Sequence, residues 1–423
     1  MKAKVIAVVL ILLVLLGWGL GSLSAERFIP KSDLIPAVLG TVARSYVDST
    51  RLQPKVMLEG SLERLSNSIA PVLTQLQAEK GKLNVTVSVD QYKREFVFAE
   101  PKDALGLNPI LQEVATFTKS HLERSEKPEE VDYALINGFL RKLDPHSMLL
   151  VPEVYSDFNQ STVGNYTGVG MMIGLREGQL TVISPIDDSP AAKAGIRAKD
   201  KIMQIDEEST VNLGLEDAVS KLKGPEGTTV GIYILREGFS APKRFDVKRA
   251  QITISSVEQH RFERDKKTVG YIKLKTFGKN TIEELDEALK ELDYDFKSFQ
   301  GLVLDLRNNP GGLLAGAISV SDRFLERGVI VSTAGLEEGS DRSFEAHWWN
   351  TIKDVPVIIL VNSGSASASE IVTAALKSHD RAVVLGNRTF GKGSVQQVIP
   401  MNDGSALKLT MSKYLTPGER SIQ

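Results

Sequence analysis

VPVIILVNSGSASASEIVTAALKSHDRAVVL, residues Val355–Leu385, reads as strand, tight turn, helix and second strand. Val355–Val361 and Ala382–Leu385 are continuous apolar runs rather than alternating ones, which marks strands covered on both faces. Ser367–Lys377 between them has the length and composition of a helix that packs on such a sheet. The same alternation extends upstream. Val269–Leu274 reads as strand, Thr281–Leu292 as helix, Leu302–Leu306 as strand, Gly311–Leu325 as mostly helix and Val329–Val331 as strand. Residues 251–423 are therefore expected to form an α/β layer fold.

Further toward the N-terminus the style changes. Val163–Ala250 holds short alternating runs at Val169–Leu175, Leu180–Ile183, Lys201–Ile205, Val230–Leu235 and Arg244–Val247. They surround two short helices, Pro190–Ala194 and Leu215–Leu222, the second stopped by Gly224-Pro225. A separate α+β unit over 161–250 is the expectation. Residues 26–160 are mainly helical in pattern, with helix expected from Asp33 to Leu76 and again from Leu107 to Leu143. Lys82–Phe98 interrupts them: Leu83, Val85, Val87 and Val89 alternate and Phe96-Val97-Phe98 follow a polar break, a hairpin signal. PKVMLEGSLERLS from Pro54 and PEEVDYALINGFLRKL from Pro128 are weakly alike, which either a helix repeat or an inserted hairpin would explain.

At the start, Lys2 and Lys4 precede an uncharged apolar run, Val5–Ala25. A basic region before an apolar one is an export signal. Ser22-Leu23-Ser24 and Ala25 offer small residues for cleavage, yet the run is long enough to span a bilayer. Residues 1–25 are thus read as signal peptide or membrane anchor, and the chain as exported, periplasmic or otherwise extracytoplasmic. The 423 residues carry 51 basic and 53 acidic side chains, a net charge of −2, with no basic run to form a nucleic-acid footprint. The absence of cysteine excludes disulfides, thiol nucleophiles and thiolate metal sites. Five histidines are scattered without a metal-binding spacing, so no metal or other cofactor is expected.

Two segments carry chemistry. In Asn362–Glu370 (NSGSASASE) the serines follow a buried strand and open a helix, where unpaired N–H groups and the positive dipole end suit a developing oxyanion. The bland reading is helix capping. In Thr389–Gln396 (TFGKGSVQ), Lys392 lies among Phe390, two glycines and Val395, with no acid from Asn387 to Pro400. A lysine acts as a base only when neutral, and burial away from carboxylates favours that form. Gly386–Lys392 matches a phosphate-binding loop until the required Ser or Thr, where Gly393 stands, and a strand rather than a helix should follow. A serine triad has little support: GxSxG is absent around Ser367, His379 reads as a helix-terminus residue, and His146 reads as closing a turn.

LDPHSMLLVPEVYSDF, the YTGVGMMI…SPAAKAGI…LKGPEGTTV module, DLRNNPGG, NSGSASASEIVTAAL and TFGKGSVQ stand in this order from about Leu143 onward. Together they resemble the carboxyl-terminal processing proteases. That resemblance implies a ClpP/crotonase-like core, Ser367 as nucleophile, Lys392 as base, and Gln396 as the residue that orients the lysine, its side-chain carbonyl accepting from the amine. It also implies an oxyanion hole of the Ala368 amide with Gly311 or Gly312. The Val163–Ala250 module is similar to a PDZ domain, whose carboxylate-binding loop falls on Gly168, Val169, Gly170 and Met171. Some family members carry an arginine before the Gly-Pro turn, linked to gating; Lys223 stands here. An aspartate common late in the nucleophile helix is replaced by Ser378, and the 82–98 hairpin lies outside the family pattern. The chain stops at Gln423, where the family continues through another strand segment, which raises the expectation of a C-terminal truncation.

The implied activity is an ATP-independent endopeptidase that recognises unfolded or C-terminal tails of envelope proteins. The competing reading is a catalytically silent PDZ adaptor at the membrane. A homodimer through the N-terminal helices and an adaptor or activator protein are further expected partners.

Overall fold

The computed structural model describes residues 32–79, 81–123, 127–253, 255–265, 267–292, 299–336 and 341–422. The leader reading of Val5–Ala25 lies outside the described residues. The chain divides into two compact units, residues 1–151 with 396–411 and residues 152–395 with 412–423.

The first unit is built on four helices, α1 (Leu34–Ser45), α2 (Pro54–Ser68), α3 (Leu107–His121) and α4 (Glu129–Leu143). α1 buries Ile35, Val38, Leu39 and Val42 as one stripe. Pro54 opens α2 at a position whose N–H has no helical partner anyway. α4 carries Glu129, Glu130 and Asp132 in its first turn and Arg141 and Lys142 in its last, as the helix dipole favours. The two weakly similar segments are these helices, α2 and α4, packed on each other at a pair of glycines. A Cβ on Gly60 would lie 2.5 Å from the Gly138 carbonyl oxygen. Ser61 Oγ donates to the Leu135 carbonyl across the same contact at 2.8 Å.

The helix expected through Leu76 stops at Ser68, because Pro71 cannot donate the N–H that continuation requires. Val72–Glu79 is strand β1 instead, pairing with β2 (Lys82–Val89), which pairs in turn with β3 (Tyr92–Ala99). The expected hairpin is present, as two strands of a three-stranded sheet. Leu83, Val85, Val87 and Val89 face the helices. The unit is completed from far along the chain. Residues 396–400 of β20 (Ser394–Pro400) and 406–411 of β21 (Ala406–Thr416) belong to it, and Ala406–Lys408 pair with β4 (Met148–Leu150).

The second unit opens with α5 (Pro152–Val163) and β5 (Asn165–Gly168), which pairs with β12 (Ala250–Thr253). Between them lie β6 (Met171–Arg176), β7 (Gln179–Pro185), α6 (Pro190–Lys193), β8 (Lys201–Ile205), β9 (Glu208–Ser209), α7 (Leu215–Leu222), β10 (Thr229–Leu235) and β11 (Lys243–Lys248). The sheet order is β11-β10-β8-β7-β6 around a core of Leu180, Val182, Ile202, Val230 and Ile232.

The remainder contains β13 (Val257–Arg264), β14 (Lys267–Leu274), α8 (Thr281–Glu291), β15 (Phe299–Asp305), α9 (Leu314–Asp322), β18 (Val357–Val361), α10 (Ala368–Ser378) and β19 (Ala382–Gly386). These strands form the sheet β13-β14-β15-β18-β19, with β14, β15, β18 and β19 mutually parallel. The alternation of strand and helix is thus the α/β fold read from the sequence, with a mainly helical N-terminal unit. Helix α9 begins three residues later than Gly311, because Gly311 and Gly312 sit at φ 100° and 148°. Besides this sheet, β16 (Val329–Gly335) pairs with β17 (Arg342–Glu345) and with Ser412–Leu415 of β21, and β21 pairs with β22 (Arg420–Ser421).

Candidate active site

In parallel sheets, sites form outside the carboxyl ends of adjacent strands. Here β15 and β18 are neighbours, and the turns that follow them, Leu306–Gly312 and Asn362–Ser367, lock together. Asn308 N–H donates to Asn362 Oδ1 and Asn362 Nδ2 returns a bond to Asn308 Oδ1, both at 2.9 Å. Ser365 Oγ donates to the Leu306 carbonyl at 2.8 Å. The Asn309 carbonyl accepts from Ala366 N–H and from Ser369 Oγ, each at 3.0 Å. Asn309 is fully buried, and its Nδ2 donates to the Leu274 carbonyl on β14. One asparagine therefore pins both turns to the sheet.

Ser367 is the N-cap of α10 and is 7% exposed. Its φ of 53° and ψ of −113° are a conformation that residues other than glycine avoid, at a cost of about 1–3 kcal/mol. Surrounding bonds hold it there. Its carbonyl accepts from Glu370 N–H and Ile371 N–H, and its own N–H donates to Glu370 Oε2 at 2.8 Å. Ala368, the first residue of the helix, has an N–H with no intrahelical acceptor.

Glu370 also reaches the second segment. Its Oε2 accepts from Lys392 N–H at 2.8 Å, and its Oε1 accepts from Gly391 N–H at 2.6 Å and Thr389 Oγ1 at 2.7 Å. This carboxylate, 4% exposed, ties the main chain of Ser367 to the main chain of Lys392. The surroundings of Lys392 are thus acid-free in sequence but not in space. Phe390 N–H adds a bond to the Ser365 carbonyl at 3.0 Å. Tyr414 N–H donates to the Gly393 carbonyl at 2.7 Å, and its phenol lies beside Ser367. Burial pushes that phenol above its ordinary value, against the smaller opposing pull of Ser367.

The two glycines proposed for the oxyanion hole are not equivalent. A Cβ on Gly311 would lie 2.8 Å from Ser367 Cβ and 3.0 Å from Ala368 N, so only glycine fits against Ser367. Its N–H, however, is engaged, donating to Asn309 Oδ1 at 2.9 Å. Gly312 is the one of the pair whose amide is uncommitted among the described residues. Its neighbours are fixed by Phe277 N–H donating to the Gly311 carbonyl and Leu313 N–H to the Phe277 carbonyl.

Gln396 falls in the first unit, where its Nε2 donates to Thr410 Oγ1 at 3.4 Å. His379 ends α10 and contacts the Val329 carbonyl, while Asp144 Oδ1 accepts from His146 N–H in the turn after α4. Among the described residues, no group of three or more His, Asp or Glu side chains is placed to hold a metal ion.

A cavity of about 400 Å³ lies between β6 and α7. Val169, Met171 and Ile173 line its strand side and Val219 and Leu222 its helix side. Gly170, at φ 75°, also lines it, whereas Gly168 pairs with Ala250 at the base of the module. Lys223 closes α7 and donates to Asp157 Oδ1 of α5 at 2.8 Å, both on the cavity wall. The wall also includes Thr276, whose Oγ1 donates to the Gly311 carbonyl at 3.0 Å.

Sequence reasoning missed Glu370, Asn309 and Tyr414. The first had a signal, since Ser-x-x-Glu at a helix start is a capping box; the other two act through contacts distant in sequence.

Known proteins match these features. The model of Peptidase family S41 matches residues 268–423 and that of the PDZ domain residues 162–235. The carboxy-terminal-processing protease of Bartonella bacilliformis is 42% identical over 290 residues, 68% of this chain and 66% of that one. The carboxyl-terminal-processing protease of a Synechocystis species is 37% identical over 308 residues, 72% of this chain and 71% of that one. Among solved structures, the photosystem II D1 C-terminal processing protease aligns over 92% of this chain and 89% of its own, at 26% identity and a TM-score of 0.49. The chain belongs to the carboxy-terminal processing proteases, serine-type peptidases of family S41 that carry a PDZ domain.

Proposed function

We propose that this chain is an ATP-independent endopeptidase acting outside the cytoplasm, with Ser367 as nucleophile, Lys392 as general base and Gln396 as the residue that orients the lysine amine. The observation that carries this reading is Glu370, one buried carboxylate bonded to the main chain of both dyad residues. An active site needs its reacting groups held in register, and two segments far apart in sequence are joined here by charge-assisted bonds.

The neutral Lys392 amine takes the proton from Ser367 Oγ as the oxygen attacks the scissile carbonyl carbon. The oxyanion that forms is met by the N–H groups of Ala368 and Gly312. The ammonium then protonates the departing amine, leaving an acyl-enzyme. Water, deprotonated by the same lysine, releases the acid. The apolar cavity beside β6 supports capture of a C-terminal tail as an added strand, its carboxylate on the 168–171 loop. Export rests on Lys2, Lys4 and the apolar run Val5–Ala25.

Incubation of the full chain with an unstructured peptide ending in apolar residues tests the reading. Turnover should be abolished by Ser367→Ala and by Lys392→Met. Peptide binding without cleavage by the unaltered chain would refute it in favour of the silent adaptor.

A further inference from the structure

The segment that follows β14 grips the turn after β15 at its two glycines. Phe277 N–H donates to the Gly311 carbonyl at 3.0 Å, and Leu313 N–H donates to the Phe277 carbonyl at 2.7 Å. Thr276 adds a bond from its side chain, Oγ1 donating to the same Gly311 carbonyl at 3.0 Å. A carbonyl oxygen only accepts, so the hydroxyl is the donor in this contact. The gripping segment is itself anchored elsewhere. Lys275 N–H donates to the Ser256 carbonyl at 2.7 Å, and Gly278 N–H donates to Oγ1 of the fully buried Thr281 at 2.8 Å. Phe277 between them is buried. All these residues belong to the second unit.

The peptide unit joining Gly311 to Gly312 is planar and trans, so its C=O and its N–H point to opposite sides. Holding the Gly311 oxygen toward Thr276 and Phe277 therefore turns the Gly312 N–H away from them. The Cα of Gly311 stands against the nucleophile turn, within a Cβ's reach of Ser367 and the Ala368 nitrogen. With glycine on both sides, at φ 100° and 148°, backbone sterics do little to prevent the plane from turning over. Its orientation then rests on two hydrogen bonds to one oxygen, one from the main chain and one from Thr276. We propose that Thr276 is a positioning residue: with Phe277 N–H, its hydroxyl sets the 311–312 peptide plane so that Gly312 presents its N–H to the oxyanion formed at Ser367. The inference rests on the role given to Gly312 above. Thr276 also lines the apolar cavity, so its test has to separate an effect on rate from one on tail binding.

The test uses the full chain, with kcat and KM measured on an unstructured peptide and binding measured for two probes of the same sequence. One probe is an uncleavable peptide; the other ends in a boronic acid, whose boron takes up Ser367 Oγ and becomes a tetrahedral anion. Thr276→Val keeps the shape and removes the donor. It should lower kcat by about two- to twelvefold, the loss of one neutral hydrogen bond, with KM little changed. Boronate binding should weaken by the same factor while the uncleavable peptide binds as before, because only the tetrahedral anion calls on the Gly312 N–H. Thr276→Ser, which keeps the hydroxyl, should restore both. The inference is overturned if Thr276→Val turns over like the parent, if it raises KM at unchanged kcat, if Thr276→Ser falls as far, or if kcat falls while boronate binding does not. Should Thr276→Val fail to fold by circular dichroism, Thr276→Ala takes its place with the same readings. Complete lack of turnover by the unaltered chain strikes the proposed function and this inference with it. Turnover abolished by Ser367→Ala but indifferent to the hydroxyl at 276 strikes this inference alone.

Discussion

Replacing Glu370 by Gln changes one oxygen to an amino group and little else in shape. Four donors converge on the present carboxylate: Ser367 N–H and Lys392 N–H on Oε2, Gly391 N–H and Thr389 Oγ1 on Oε1. A glutamine can serve the pair at one oxygen, but at the other its NH₂ confronts two donors. Two hydrogen bonds to a charged group are lost, each contributing about 1.5–3 kcal/mol, so E370Q should be destabilised by about 3–6 kcal/mol. The lost pair decides the effect on chemistry. If Oε2 is replaced, the strained Ser367 and Lys392 are both released. If Oε1 is replaced, the turn at Thr389–Gly391 loosens one residue before the lysine. Either way Ser367 and Lys392 lose their common anchor, and a misplacement near 1 Å between reacting groups costs about a hundredfold in rate. The assay is kcat on an unstructured peptide, run well below the melting temperature of the variant, with thermal unfolding followed in parallel. The expected result is a fall in both, with the kcat loss persisting where the variant remains fully folded. An E370Q protein that melts normally and turns over within about twofold of the parent would show that this carboxylate is neither an anchor nor a positioning group.

The remaining predictions use single positions. Gly311→Ala should abolish turnover, because its Cβ would lie 2.7 Å from the Ala366 oxygen and 2.8 Å from Ser367 Cβ at φ 100°; Gly178→Ala, at φ 74° with nothing within 4 Å, should cost stability only. Tyr414→Phe should reduce kcat by at most about twelvefold, the ceiling for removing one neutral hydroxyl beside Ser367. Since burial raises the Tyr414 phenol above its ordinary 10.0, the basic limb of the pH–rate profile should survive that substitution. Asp305 is buried, which pushes its carboxyl up, but the side chain and N–H of Arg307 and the Tyr271 hydroxyl outweigh this and hold it below 3.8. Its stabilising effect is therefore complete above that ordinary value and disappears as pH falls through the depressed one. Arg307→Met should move the acid-unfolding midpoint to higher pH in denaturant titrations, and an unmoved midpoint would remove Asp305 from acid stability.

How much of this was legible in the sequence follows the range of the interactions. Val355–Val361, Ser367–Lys377 and Ala382–Leu385 could be read because burial on both faces and helical length are properties of a contiguous window. The end of α2 was misread for a local reason, Pro71, whose missing N–H outweighs a tolerable apolar period through Leu76. The return of residues 396–411 to the N-terminal unit could not be read at all, since Leu407 and Leu409 look the same whether their partners lie near or some 260 residues away, as the Thr410–Ser147 bond does. The site divides the same way. Ser367 at a helix start was visible, and so were the glycines that crowd it. The acid-free neighbourhood of Lys392 was a property of the string alone. In the fold, the capping glutamate of α10 accepts a hydrogen bond from the Lys392 main chain. The carboxylate that anchors Ser367 therefore also holds the main chain of Lys392, a contact that no window from Asn387 to Pro400 contains.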